Sequence, residues 1–361
     1  MSLQAETSFG LQFLQTLPVN ESAIFSPLSI ALALSLVHAG AKGKTKSQIS
    51  NTLLKGSTDE QFTQYFSLIS NAILNSTNGV TTNVANRVYL NEGFIAKQSY
   101  LDFVEKNYNA GAESLDFTNP TSADKINAFV ENATKNKIVK LTSYDAIKDA
   151  VAFLVNALYF EADWQRTFST ENSKNDAFFS SPCQSKNVTF MHDYRTDRAY
   201  SSDDTFQVLV LPYKDSSYKF AIFLPKQRNG LANGMKKLTA AKFQNLLKNA
   251  KSTYLNIAFP KFKIEKQMGL KATLIKLGIQ LMFSDAADLS GIAESLTVTD
   301  GIHKAMIEIT EKGTVAAAAT GIIISTTSIR NGTPLEFRAD HPFMFALVKD
   351  NHPMFLGTYQ G

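Results

Sequence analysis

The pattern of apolar and polar positions predicts helices early in the chain and strands later. Apolar residues at helical spacing predict an amphipathic helix over residues 5–17. A second helix should begin at Ser26, a favoured N-cap residue type, with Pro27 at its first position, and end at Gly40. Because this helix is apolar on nearly all sides as far as His38, we expect it to be deeply buried.

The same periodicities predict the remaining elements. Further helices are predicted at residues 45–54, 59–74, 122–138 (with Ser122 as cap), 239–250 and 269–279. Strands are predicted at residues 81–90, 152–164, 206–213, 218–225 and 253–265, and in the tail 341–360, which turns at 349–351. No linker, repeat or low-complexity tract interrupts the chain, so we expect one α+β domain over residues 1–361.

A run of small residues, EKGTVAAAATG at 311–321, lies between a segment that alternates like a strand and a β-branched one. In a strand, one face of this run would carry Thr314, Ala316, Ala318 and Thr320, and the other Val315, Ala317, Ala319 and Gly321. Such small side chains suit insertion between existing strands, where bulky ones would overpack. Composition alone favours an exposed linker or a short helix instead.

Composition and charge limit the classes of binding partner that the sequence favours. The 361 residues are 44% hydrophobic, which is enough for a substantial core, and the net charge is only +4. Lysines are scattered apart from small groups at 42–46 and 135–140, so solvated faces are expected rather than a nucleic-acid site. A polyanion such as a glycosaminoglycan stays open, although the predicted helix at 59–74 has no basic stripe.

Candidate chemistry is sparse. Cys183 is the single cysteine, which rules out an internal disulfide and a thiolate metal cage. The histidines are dispersed and no catalytic motif occurs, so we expect no enzyme activity, no metal and no cofactor. No apolar run is long enough for a transmembrane helix, and the first residues lack a signal-peptide pattern. We expect a secreted protein in its processed form, with a cytoplasmic one as the alternative.

Several ordered motifs together resemble one family. The segment EKGTVAAAATG resembles the hinge of the serpins, which are serine-protease inhibitors that insert a cleaved loop into a β-sheet. IFSPLSIA at 24–31 and VNALYFEADW at 155–164 also resemble serpin segments. The further motifs that match in order and spacing are FPKF, LGIQLMFSDAADLSGIA, HKAMIEITEKGT, HPFMF and FLGTY. The resemblance covers the whole chain.

The resemblance implies a fold and a mechanism. The fold would be α+β, with a large central β-sheet, two smaller sheets, surrounding helices and an exposed reactive-centre loop at about 311–333. The protein would act as a monomeric suicide substrate that traps a target protease as a covalent acyl complex. No proline or charged residue interrupts residues 314–328, which favours an inhibitor over a non-inhibitory carrier or chaperone.

The resemblance also assigns roles to residues. The hinge would comprise Glu311, Lys312, Gly313, Thr314, Val315, Ala316, Ala317, Ala318 and Ala319, with Gly313 permitting unusual backbone angles. A polar cluster where the sheet opens, the shutter, would comprise Ser26, Ser29, Asn156 and His303. The point of loop entry, the breach, would comprise Trp164, Lys261 and Glu311, with an ion pair between Lys261 and Glu311.

The family's common spacing from Gly313 places the cleaved bond at Thr327–Ser328, within a window of 325–331. A Thr before the bond suits an elastase-like serine protease or a papain-like cysteine protease, and these two targets stay open. Arg330 is the basic alternative, and cleavage there would indicate a trypsin-like target.

Overall fold

The computed structural model describes residues 2–74, 79–314 and 332–361. Within these ranges the α-helices are α1 (Ser2–Thr16), α2 (Pro27–Gly40), α3 (Gly43–Leu54), α4 (Asp59–Leu74), α5 (Gln98–Tyr108), α6 (Thr121–Ala133), α7 (Tyr144–Ile147), α8 (Leu231–Lys237), α9 (Ala240–Lys248) and α10 (Lys271–Lys276). The strands are β1 (Ala23–Phe25), β2 (Val80–Asn91), β3 (Gly111–Leu115), β4 (Ala152–Asp163), β5 (Lys174–Ser181), β6 (Gln184–Ser202), β7 (Phe206–Pro212), β8 (Tyr218–Pro225), β9 (Lys251–Pro260), β10 (Phe262–Gly269), β11 (Asp300–Ile309), β12 (Gly313–Thr314), β13 (Leu335–Arg338), β14 (Phe343–Lys349) and β15 (His352–Tyr359). Most helices precede β4 and most strands follow it, as the pattern predicts.

The strands form two hydrogen-bonded sheets. A six-stranded sheet has the order β10-β11-β12-β4-β2-β3. A nine-stranded sheet has the order β1-β15-β14-β8-β7-β6-β9-β13, with β5 paired to β6. The long strand β6 pairs with β7 at one end and with β5 and β9 over the rest of its length, so the two smaller sheets of the expected fold are continuous through β6.

Helices cover both faces of the six-stranded sheet. On one face lies α2, where the Ser26 hydroxyl caps the helix by accepting the backbone N–H of Ser29 and Pro27 occupies the first position. On the other face lies α6, whose Ile126 and Val130 share a core with Val155 of β4. Alternate side chains of β4 therefore point to different helices.

Two predicted elements have other boundaries in the structure. The helix predicted at 122–138 ends at Ala133, because Lys135 and Asn136 adopt positive φ angles that no α-helix can contain. Ser122 lies inside this helix rather than capping it, and its hydroxyl donates to the carbonyl oxygen of Asp116. The strand predicted at 253–265 is divided at Lys261, with β9 in the nine-stranded sheet and β10 in the six-stranded one.

Candidate functional site

The two central strands of the six-stranded sheet, β4 and β11, touch over only part of their length. They pair directly, in parallel, where residues 153–158 lie beside residues 300–305. Beyond that point β12 lies between them, with Thr314 opposite Ala162 on one side and opposite Ile309 on the other. The central strands are therefore already apart at one end, and the first hinge residues occupy the gap.

Gly313 has a steric role rather than a conformational one. Its φ angle is not among the positive ones, so the sequence-based argument from unusual backbone angles does not apply to this conformation. A Cβ at this position would lie 2.1 Å from the carbonyl oxygen of Ala162. Glycine is therefore needed here because the hinge backbone passes directly against β4.

Glu311 forms an ion pair at the entrance to the gap. Its Oε2 lies 2.9 Å from Nζ of Lys261, and its Oε1 accepts a hydrogen bond of 2.8 Å from the hydroxyl of Ser173. The carboxylate is buried, whereas the lysine is partly exposed. Burial alone would raise the pKa of Glu311, but the hydrogen bonds from Lys261 and Ser173 hold that pKa below its usual value.

Trp164 fixes the turn that leads from β11 into the hinge. Its indole N–H donates to the carbonyl oxygen of Thr310 over 2.9 Å, and its backbone N–H donates to that of Lys312 over 2.8 Å. The indole also stacks on the ring of Tyr213, with centroids 4.5 Å apart. The three predicted breach residues, Trp164, Lys261 and Glu311, thus lie around the end of β11.

The four predicted shutter residues form one buried network. The amide of Asn156 donates to the carbonyl oxygen of Ser29 over 2.8 Å and to its hydroxyl over 2.6 Å, and it also donates to Oδ1 of Asn86. Nδ1 of His303 is hydrogen-bonded to Oδ1 of Asn156, and Nε2 accepts the backbone N–H of Ser26 over 2.9 Å. The network joins β2, β4, β11 and the start of α2.

These contacts determine the state of His303. Because Nε2 accepts a hydrogen bond, the proton of the neutral ring is on Nδ1, which donates to Asn156. Complete burial lowers the pKa of His303 to about 3, so the ring is uncharged at neutral pH. Protonation of Nε2 would remove the hydrogen bond from Ser26 and place an unpaired charge between β4 and the N-terminus of α2.

We expect His303 to make the folded state less stable in mild acid. The pKa of this group is lower in the folded chain than in the unfolded one, so the unfolded chain binds more protons between about pH 3 and 6.5. The contribution of His303 to the free energy of unfolding is complete above pH 6.5 and falls by about 1.4 kcal/mol for each pH unit below it. Denaturant midpoints of the wild type and His303→Asn between pH 7 and pH 5 test this. The variant should have the flatter profile, and parallel profiles would contradict the expectation.

Part of the predicted site lies outside the described residues. This applies to hinge residues Val315, Ala316, Ala317, Ala318 and Ala319, to the expected bond Thr327–Ser328 and to the alternative at Arg330. Three described residues at the site were not predicted from the sequence: Asn86, Ser173 and Tyr213. Asn86 is the one with a sequence signal, since it is an amide on the strand predicted at 81–90.

Comparison with known proteins decides the family. A sequence model of the family described as Serpin (serine protease inhibitor) matches residues 4–360. The chain is a serpin. It is 33% identical to Iripin-2 of Ixodes ricinus over 95% of this chain and 88% of the relative. It is 34% identical to Serpin B4 of Homo sapiens over 99% of this chain and 98% of the relative.

Solved structures agree with this assignment. Serpin48 of the insect Tenebrio molitor matches with a TM-score of 0.90 and 28% identity, over 99% of this chain and 97% of the other. The predicted serpin fold is therefore confirmed. Serpins are mostly protease inhibitors, although some are non-inhibitory. None of the helices in the described ranges is long and apolar enough to cross a membrane.

Proposed function

We propose that this serpin is an inhibitor that traps its target protease by inserting a cleaved loop, at about residues 311–333, between β4 and β11. The observation that carries the proposal is the position of β12. Gly313 and Thr314 already form a strand between β4 and β11, with Thr314 fully buried. Serpin loop insertion is itself a standard example of strand addition and of stored strain released on cleavage.

The chemistry belongs to the protease and the mechanics to the serpin. A serine or cysteine of the protease attacks the carbonyl carbon of the bait bond, and an acyl-enzyme forms as the amine of the next residue leaves. The freed loop then extends β12 along the gap, forming main-chain hydrogen bonds to β4 and β11. The acylated protease is carried with the loop and is distorted before water can hydrolyse the ester or thioester.

Insertion requires the direct contact between β4 and β11 to open. Asn156 and His303 are register partners in that contact, and they also hold the strands to α2 through Ser26 and Ser29. We propose that this network limits premature opening, in keeping with a fold whose working stability is a kinetic barrier. The breach residues around Glu311 would in turn fix the point at which the loop enters.

The proposed bait bond is Thr327–Ser328, with an elastase-like serine protease or a papain-like cysteine protease as target. The alternative is cleavage after Arg330 by a trypsin-like protease. A small polar residue before the bond leaves the trypsin pocket without its cation, whereas Arg330 would supply one. A secreted location is part of the same proposal, with a cytoplasmic one as the alternative.

The protein should form a complex that survives SDS, at the summed mass of the two chains less the released C-terminal peptide, with at least one of trypsin, elastase and a papain-like protease. Mass spectrometry of the released C-terminal peptide then identifies the bond. A peptide beginning at Ser328 supports the proposed bond, and one beginning at Asn331 supports the trypsin-like alternative.

Arg330→Ala is the matched control for this experiment. It should leave a complex formed at Thr327–Ser328 unchanged and abolish one formed at Arg330. Cleavage within 325–331 without a surviving complex in any mixture would contradict trapping. It would favour the alternative that the protein is a non-inhibitory serpin, a carrier or a chaperone.

A further inference from the structure

The hydroxyl groups of Tyr213 and Thr314 meet inside the protein. The Tyr213 hydroxyl oxygen lies 2.6 Å from Oγ1 of Thr314, and either atom can be the donor. Both residues are completely buried, so no solvent competes for this hydrogen bond. It is a contact between the core and the hinge at the deepest described point of the gap between β4 and β11.

The position of Tyr213 is set by groups outside the hinge. Its ring stacks on Trp164, meets the ring of Phe160 edge-on at 5.2 Å, and its backbone N–H donates to the carbonyl oxygen of Tyr218 over 3.1 Å. Burial raises the pKa of Tyr213 far above its usual value, so the phenol keeps its proton at physiological pH. The hydroxyl therefore offers Thr314 a fixed partner.

We propose that Tyr213 is the positioning residue of the hinge: its hydrogen bond to Thr314 holds β12 in the sheet, and the cleaved loop then extends this strand. This inference rests on the proposed function and names a residue that regulates it. Tyr213 acts on the hinge through its hydrogen bond to Thr314.

The placement of β12 in the sheet matters because loop insertion competes with hydrolysis of the acyl-enzyme. With β12 in place, each further loop residue adds to an existing ladder. Without ordered β12, the first loop residues must lose conformational entropy between β4 and β11 before they gain stabilising contacts with neighbouring residues. Loss of β12 from the sheet should therefore slow loop insertion, so that more inhibitor is cleaved without trapping a protease.

The first test needs no protease. Tyr213→Phe removes one oxygen atom and leaves the Thr314 hydroxyl buried without that partner, which should lower the equilibrium constant for holding the hinge in the sheet about tenfold. Amide hydrogen exchange of a peptide covering residues 306–314 should accelerate by about the same factor. Exchange at the wild-type rate would overturn the proposal.

The chain offers a matched control and a reciprocal variant. Tyr218 is also fully buried and packs against Phe160, but its hydroxyl has no hydrogen-bond partner among the described residues. Tyr218→Phe should leave the exchange unchanged. Thr314→Val should reproduce the effect of Tyr213→Phe, and the double variant should add nothing further. Equal acceleration by Tyr218→Phe, or additive effects in the double variant, would contradict a specific hydrogen bond.

The second test uses whichever protease the wild type traps. Tyr213→Phe should raise the number of inhibitor molecules consumed per protease trapped several-fold, with the rate of loop cleavage unchanged. An unchanged number, or faster cleavage alone, would overturn the role in insertion. If the wild type traps no protease, the proposed function fails, and the exchange experiment still decides whether Tyr213 seats the hinge.

Discussion

Thr314→Arg should turn the proposed inhibitor into a substrate, which the protease cleaves without being trapped. Thr314 is fully buried between β4 and β11, with its hydroxyl on Tyr213. A guanidinium cannot enter this space without a desolvation cost of several kcal/mol, which applies again when the whole loop inserts. We expect the ratio of SDS-stable complex to cleaved inhibitor to fall at least tenfold, while cleavage within 325–331 continues. Gel densitometry of complex and cleaved bands measures this ratio.

Thr314→Ser is the matched control for that experiment. It keeps the hydroxyl and removes only a methyl group, so the complex should form nearly as in the wild type. A wild-type yield of complex from Thr314→Arg would mean that Thr314 does not have to be buried for trapping. The proposed insertion between β4 and β11 would then be wrong, whatever the position of the bait bond.

Local signals in the sequence predicted the elements that frame the site. Ser26 and Pro27 mark the start of α2 because a cap and a first-turn proline act on their own backbone. The apolar run of β4, which Asn156 alone interrupts between Ala152 and Phe160, follows from a strand that is buried between helices. These signals depend on neighbours in sequence, so one sequence is sufficient to read them.

The gap between β4 and β11 is a different kind of feature. Periodicity states which face a side chain takes but not which strand lies beside it. Thr314 meets Tyr213 across about a hundred residues, and Asn86 meets Asn156 across seventy. The resemblance to the serpins named the shutter and breach residues, but it did not name Asn86, Ser173 or Tyr213.

The division at Lys261 illustrates the same limit. The pattern from 253 to 265 predicts one strand, although Pro260, which has no backbone N–H, lies directly before the division. In the structure β9 ends at Pro260 and β10 begins at Phe262, which leaves Lys261 free to face Glu311. The ion pair at the entrance therefore depends on a change of sheet, and periodicity along the chain does not state which strand lies beside which.

Asn156→Ala should cause a large loss of stability. Asn156 is fully buried on β4, and its amide joins Ser29, Asn86 and His303. Removing it leaves the buried Nδ1–H of His303 and the partly buried Oδ1 of Asn86 without this partner. Each such group costs about 1–3 kcal/mol, so we expect a loss of roughly 3 kcal/mol or more. Because the same bonds cross the contact between β4 and β11, the unfolding rate in guanidinium should rise about a hundredfold.

Asn86→Ala separates the network from simple loss of an amide. It removes one hydrogen bond at the side of the network and leaves the bonds from Asn156 to Ser29 and His303 in place. Its unfolding rate should rise far less than that of Asn156→Ala, by about tenfold or below. Equal rates for the two variants would show that β4 and β11 are not held together through Asn156. The barrier to opening would then depend on the apolar packing of α2 and α6 against the two faces of the sheet.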